Sequence, residues 1–205
     1  MDKSHPLSDA TAGLFNVALM NELGIDYATI GNNEGIGLAK DELDCLYEQA
    51  QFQPIIGNLK DGGGQPEWAK SYLVHKTKLV QNCFLGLYLP YYLPIAPTLQ
   101  VLEPMARLEE DLARPEVRDA DIVVVLSHLG VRYDEQIAET YPQVNLVIGS
   151  HTHHLFEEGK LVNETYLAAA DRYGYYLGCI DLTVKNGQLI ECQIEAIPTS
   201  PTSWI

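Results

Sequence analysis

Positive charge is scarce in this chain. Its 205 residues carry 13 Lys and Arg against 28 Asp and Glu, a net charge of −15. Proteins that bind nucleic-acid backbones or anionic membranes do so through clustered Lys and Arg. No nucleic-acid polymer and no membrane are therefore expected as partners. Long apolar runs are also missing: nothing approaches the ~20 residues of a membrane helix. Cysteine is sparse and scattered, at Cys45, Cys83, Cys179 and Cys192, with no C-x-x-C pair. That spacing suits neither a zinc ribbon nor a thioredoxin motif, and reduced thiols fit a cytoplasmic protein. Met1-Asp2-Lys3-Ser4-His5-Pro6 has no signal-peptide character. Gly62-Gly63-Gly64 lacks the Lys-Ser/Thr of a phosphate loop and reads as a turn.

What is present is ordinary globular material, 46% hydrophobic and 20% charged. One helix is expected from an N-cap at Ser8 to a closing Gly24. Tyr27 to Ile30 reads as a short strand ending in the polar loop Gly31-Asn32-Asn33-Glu34-Gly35. A helix over about Leu38 to Ala50 and a strand from Gln53 to Leu59 follow. Ser71–Val80 and Asn82–Leu89 read as strands, and Tyr88 to Pro94 as an aromatic, proline-punctuated loop. Leu102, Met105, Leu108 and Leu112 have helical spacing. Ile122–Leu126 and Val144–Ile148 are continuous β-branched runs of the kind buried in parallel sheets, with a helix from Asp134 to about Thr140 between them. Thereafter the pattern is a meander, with a hairpin turn at Lys185-Asn186-Gly187. The expected fold is α/β: two stacked β-sheets flanked by helices, a four-layer αββα sandwich.

Six histidines are present, and three of them fall in Gly149-Ser150-His151-Thr152-His153-His154. A fourth, His128, follows Ser127. Both groups come directly after a strand, where α/β sheets bind ligands. Imidazole suits zinc, manganese, iron or nickel, and Asn32 offers an amide oxygen from a third strand end. Each piece alone has a plain reading: an incidental H-x-H pair, a core histidine, a turn. Three at equivalent sheet positions point to a metal site. A two-metal hydrolytic centre also needs a bridging anion, and no D-x-H or G-D motif stands at a strand end here.

These residues resemble the calcineurin-like metallophosphoesterases, in their bacterial 5′-nucleotidase branch. Gly31-Asn32-Asn33-Glu34 is similar to that family's G-N-H-E/D motif, Ser127-His128-Leu129-Gly130 to its strand-end histidine, and Gly149 to His153 to its G-H-x-H. Ala168 to Gly174 resembles the strand and turn that follow. The resemblance implies hydrolysis of phosphate esters or anhydrides of nucleotides with divalent metal ions such as Mn, Zn or Fe. It implies that Asn32, His128 and His151 bind one ion and His153 a second, with His154 a neighbour. The partner implied is a nucleotide or other small phosphoester substrate.

Two departures qualify what the resemblance implies. Asn33 stands where the family has a catalytic histidine. An amide donates a hydrogen bond to a phosphoryl oxygen but delivers no proton; Asp2, Lys3 and His5 are the nearby substitutes. The D-x-H and G-D motifs have no counterpart, and Met1 to Pro6 resembles the stretch just after G-D. Residues 1–205 are thus expected to be a catalytic domain incomplete at the N-terminus, its first strand missing, with the C-terminal nucleotidase domain absent. One ion or none, weak hydrolysis, and self-association through an unpaired sheet edge follow as expectations. A non-catalytic metal-binding or structural remnant is the alternative.

Overall fold

Two helices, a pair of short parallel strands and a six-stranded sheet follow one another along the chain. The computed structural model describes residues 5–89 and 99–200. Asp2 and Lys3, most of the expected aromatic loop and the C-terminal Trp204-Ile205 lie outside them.

The single N-terminal helix expected from Ser8 is two: α1 (Pro6–Ala10) and α2 (Leu14–Glu22). His5, not Ser8, caps the first, its Nδ1 accepting from the Leu7 N–H at 3.3 Å, and Ser8 is buried inside α1. The break is stabilised locally. Thr11 Oγ1 donates to the Leu7 carbonyl and accepts from the Phe15 N–H, at 2.7 and 3.1 Å. Ala12 and Gly13 take the left-handed turn, at φ 46° and 88°. Gly24 closes α2 with φ 67°, as expected.

Strand β1 (Tyr27–Ala28) leads through buried Ile30 into α3 (Asn32–Gly37). The expected Asn32-Asn33 loop is thus the first turn of a helix. Glu34 fixes that turn by accepting from the Gly31 N–H at 2.8 Å. Helix α4 (Lys40–Glu48) buries Leu43, Leu46 and Tyr47. Strand β2 (Gln53–Pro54) pairs in parallel with β1, Tyr27 opposite Gln53. The expected long strand to Leu59 is instead broken, and β3 (Leu59–Asp61) turns away.

The main sheet begins with β4 (Tyr72–Lys76) and β5 (Gln81–Tyr88). Strand β6 (Leu99–Val101) pairs with β3, and helices α5 (Pro104–Leu112) and α6 (Pro115–Arg118) cross over to β7 (Ile122–His128). Helix α7 (Val131–Thr140), β8 (Leu146–Gly149), β9 (Lys160–Val162) and β10 (Thr165–Ala168) complete it. The order is β4-β5-β7-β8-β10-β9. The four inner strands run parallel and both edge strands antiparallel.

Alternate residues of this sheet serve two cores. Leu85, Leu87, Val123, Val125 and Val147 pack under Leu108, Leu112, Val117 and Ile137 of the helices. Val124, Leu126 and Leu146 pack against Ile180, Leu182, Val184 and Ile194. Those belong to a hairpin, β11 (Tyr176–Lys185) and β12 (Gln188–Pro198), turned at Asn186 and Gly187 with φ 55° and 74°. Two stacked β layers with helices outside are therefore present. The second layer is a hairpin rather than a wide sheet among the described residues. No helix among the described residues is long and apolar enough to cross a membrane.

Candidate metal centre

Parallel pairing lines up the carboxyl ends of the inner strands. Tyr88 of β5 sits opposite His128 of β7, and Ser127 opposite Gly149 of β8. His128 therefore emerges at one strand end, and His151 two residues past the next. Asn32 arrives from the end of β1, as the first residue of α3. Its Oδ1 lies 2.8 Å from His128 Nε2 and 3.2 Å from His151 Nδ1. The two imidazoles are edge to face, 5.1 Å between centroids. Gly31 permits this approach: a Cβ there would stand 2.9 Å from His128 Cε1.

The electrostatics keep both rings neutral. The His128 pKa is lowered to about 4, by burial first and by neighbouring His151 second. His151 is lowered as well, by burial first and by His153 second. A neutral imidazole is the form that ligates a cation. Among the described residues no three His, Cys, Asp or Glu side chains gather as a metal site; this cluster is two imidazoles and one amide. The donors converge and are of the right chemistry for a divalent ion, so they fit one. All three are neutral, so they offset none of its charge.

His153 stands apart from that trio. It is exposed, and its ring lies 6.2 Å from that of Tyr173. It lines a cavity of about 1030 Å³ together with Asn32, Asn33, His128 and Arg172. His154 turns to Thr152, Nδ1 to Oγ1 3.0 Å, and to the Phe156 ring. His5 lines the same cavity while its ring stacks on Phe15 at 6.2 Å. The structure therefore brings Asn32, His128 and His151 into contact and sets Asn33 and His153 on the wall beside them.

Backbone strain is concentrated in this region. His151 and His153 both have left-handed backbones, φ 74° and 53°, as do Asp171 and Tyr173 at 59° and 57°. Such residues cost of order 1–3 kcal/mol each and persist only where their surroundings hold them.

One residue behind the site was not legible as such in the sequence. Asp134, 5% exposed, reads there as the start of a helix. It accepts from Ser127 Oγ at 2.5 Å, and that oxygen in turn accepts from the Leu129 N–H at 3.2 Å. Its other oxygen presses on β8, where a Cβ on Gly149 would lie 2.3 Å away. The carboxyl thus bridges the two histidine loops. Burial raises its pKa to about 7 against the pull of the Ser127 hydroxyl. The usable signal is a Ser next to the site histidine with an acid one helical turn into the following helix.

No family model matches the chain. It is 42% identical over 193 residues to YunD of Bacillus subtilis (strain 168), described as an uncharacterized metallophosphoesterase; the match takes in 92% of this chain and 41% of that protein. The chain thus spans about two fifths of that relative's length. Among solved structures, the sulfate thiohydrolase SoxB of Thermus thermophilus superposes with a TM-score of 0.85 at 24% identity, covering 94% of this chain and 36% of that one. A 5′-nucleotidase precursor, also from Thermus thermophilus, gives 0.81 at 22% identity, covering 93% and 42%. The fold is theirs.

Proposed function

We propose, from kinship with metallophosphoesterases and 5′-nucleotidases of the calcineurin-like type, that this domain hydrolyses phosphate esters or anhydrides of nucleotides with a divalent metal ion. The observation that carries the reading is the convergence of Asn32 on His128 and His151 at adjacent strand ends. In this reading those three residues hold one ion and His153 contributes to a second. A bound divalent ion supplies Lewis acidity and a water of lowered pKa.

The chain's own residues do the rest. His128 and His151 stay unprotonated near neutral pH because burial disfavours their charged forms. Asn33, on the cavity wall, donates an amide N–H to a phosphoryl oxygen and orients it for in-line attack. It moves no proton, so the leaving group must be protonated from elsewhere. His5 lines the same cavity and is the imidazole placed to do so.

Three neutral donors predict loose binding of one ion, weak occupancy of the second position and slow turnover by this chain. Calorimetric titration with manganese should show one site, and His128→Ala should weaken it by tenfold or more, since even outer-shell partners are worth about 10–100-fold. Phosphate release from a nucleoside monophosphate should require the metal and be slow. Manganese binding that His128→Ala leaves unchanged would overturn the assignment, and metal-independent turnover would overturn the chemistry.

A further inference from the structure

A nucleotide carries negative charge, and so does this chain, at −15. An anion entering the cavity therefore needs a local cation. Of the described residues lining that cavity, Arg172 is the one side chain with permanent positive charge. Carboxylates of Glu34 and Asp171 line it too, so the local field without Arg172 is unfavourable.

Arg172 is both held in place and unpaired. Its guanidinium carbon sits 5.2 Å from the centroid of the Tyr173 ring, a cation–π placement that restrains the side chain without using its hydrogen-bond donors. The Tyr173 ring in turn neighbours His153, and meets Tyr175 edge-on at 5.8 Å. The backbone beneath is anchored to the histidine loop. The Asp171 N–H donates to the His154 carbonyl at 2.9 Å, and the Tyr175 N–H to the Arg172 carbonyl at 3.0 Å. Lys40, Arg107, Arg114 and Lys160 each have a carboxylate partner. None of the described ion pairs includes Arg172.

Five donors in a planar fork, on a residue that lines the cavity one aromatic ring from His153, match a phosphate. The histidine and asparagine end of the cavity is already assigned to the phosphoryl group under attack. We propose that Arg172 binds a second, non-scissile phosphate, so that the site favours nucleotides bearing a diphosphate over monophosphates. This rests on the metallophosphoesterase reading of the His128 end.

The test is calorimetric titration of the manganese-loaded chain with adenosine monophosphate and with the methylene-bridged analogue of adenosine diphosphate, which resists hydrolysis. The analogue should bind about tenfold tighter, the scale of one charge-assisted phosphate contact. Arg172→Ala should abolish that preference, weakening the analogue about tenfold more than the monophosphate; Arg172→Lys should restore part of it. A preference that survives Arg172→Ala, an equal loss for both ligands, or no preference in the unaltered chain each overturns the proposal. Manganese titration alone reports on the His128 centre. A chain that binds manganese without the preference sinks only the Arg172 role. A chain that binds none sinks the metal reading, and the preference is then read in chelator.

Discussion

Asp134 should make this protein less stable as pH rises through neutrality, and replacing it with Asn should remove that dependence. The carboxyl has a pKa of about 7 in the folded chain, against an ordinary 3.8. Below 3.8 it is protonated in both states and costs nothing. Between the two values the unfolded chain ionises while the folded one stays protonated, so each pH unit favours unfolding by about 1.4 kcal/mol. Above 7 both are ionised and the loss is complete. From pH 5 to pH 8 the expected loss is about 2–3 kcal/mol, a large share of the 5–15 kcal/mol typical of a domain. Asn keeps the shape, and its carbonyl can still accept from Ser127. The difference in unfolding free energy between Asp134→Asn and the unaltered chain, from urea titrations followed by circular dichroism, cancels every other titrating group. It should move in favour of the variant by that amount between pH 5 and pH 8. A difference constant to within about 0.5 kcal/mol over that range would refute a carboxyl raised by burial.

Two further predictions concern what holds the site's scaffold. Gly86, in β5, lies so close to the neighbouring chain that a Cβ would stand 1.7 Å from the Ile55 carbonyl oxygen. Backbone cannot yield as a side chain can, so Gly86→Ala should cost about 3 kcal/mol or more; a melting temperature within about two degrees of the parent's, the shift expected from a far smaller cost, would contradict the contact. Asp111 accepts from Arg107 at 2.7 and 2.8 Å and from Arg114 at 2.7 Å. Arg107 is only 6% exposed, and without Asp111 its remaining carboxylate is the exposed Glu110 at 3.3 Å, so Asp111→Ala should cost about 3 kcal/mol. A loss under about 1 kcal/mol in urea unfolding would refute the dependence of Arg107 on Asp111.

The inner strands were legible because burial on both faces leaves an unbroken apolar run. Ile122 to Val125 are all buried, and their β-branched side chains mark the run as strand rather than buried helix. The hairpin was legible from Asn186-Gly187, whose φ values only that chemistry tolerates cheaply. Features set by partners distant in sequence were not. Strand β9, exposed along most of its three residues, exists because β10 offers it an edge. The start of α3 looks like a turn because Gly and Asn favour turns, and only the Glu34 contact back to Gly31 makes it helical. Asp134 counted as one more polar residue at a helix start because nothing in a one-dimensional pattern shows that Gly149 will be pressed against it.

The histidine loop shows the same division inside the site itself. Composition suggests a metal site at Gly149 to His154, but ring direction depends on backbone conformation, and both His151 and His153 adopt one that non-glycine residues avoid. Left alone, such a loop would relax, at a gain of order 1–3 kcal/mol per residue. It is held at Thr152 and His154. Thr152 Oγ1 accepts from the Val131 N–H at 3.1 Å, tying the loop to the start of α7. The Thr152 methyl packs so closely on Gly130 that a Cβ there would lie 2.8 Å from it. The His154 carbonyl accepts from Asp171, joining the loop to the turn that carries Arg172. The residues that aim the two imidazoles are thus not ligands at all. The same ties join the backbones of the histidine loop and the Arg172 turn into one mechanical unit, so a shift in either backbone should be felt at both, whereas trimming the Arg172 side chain should not.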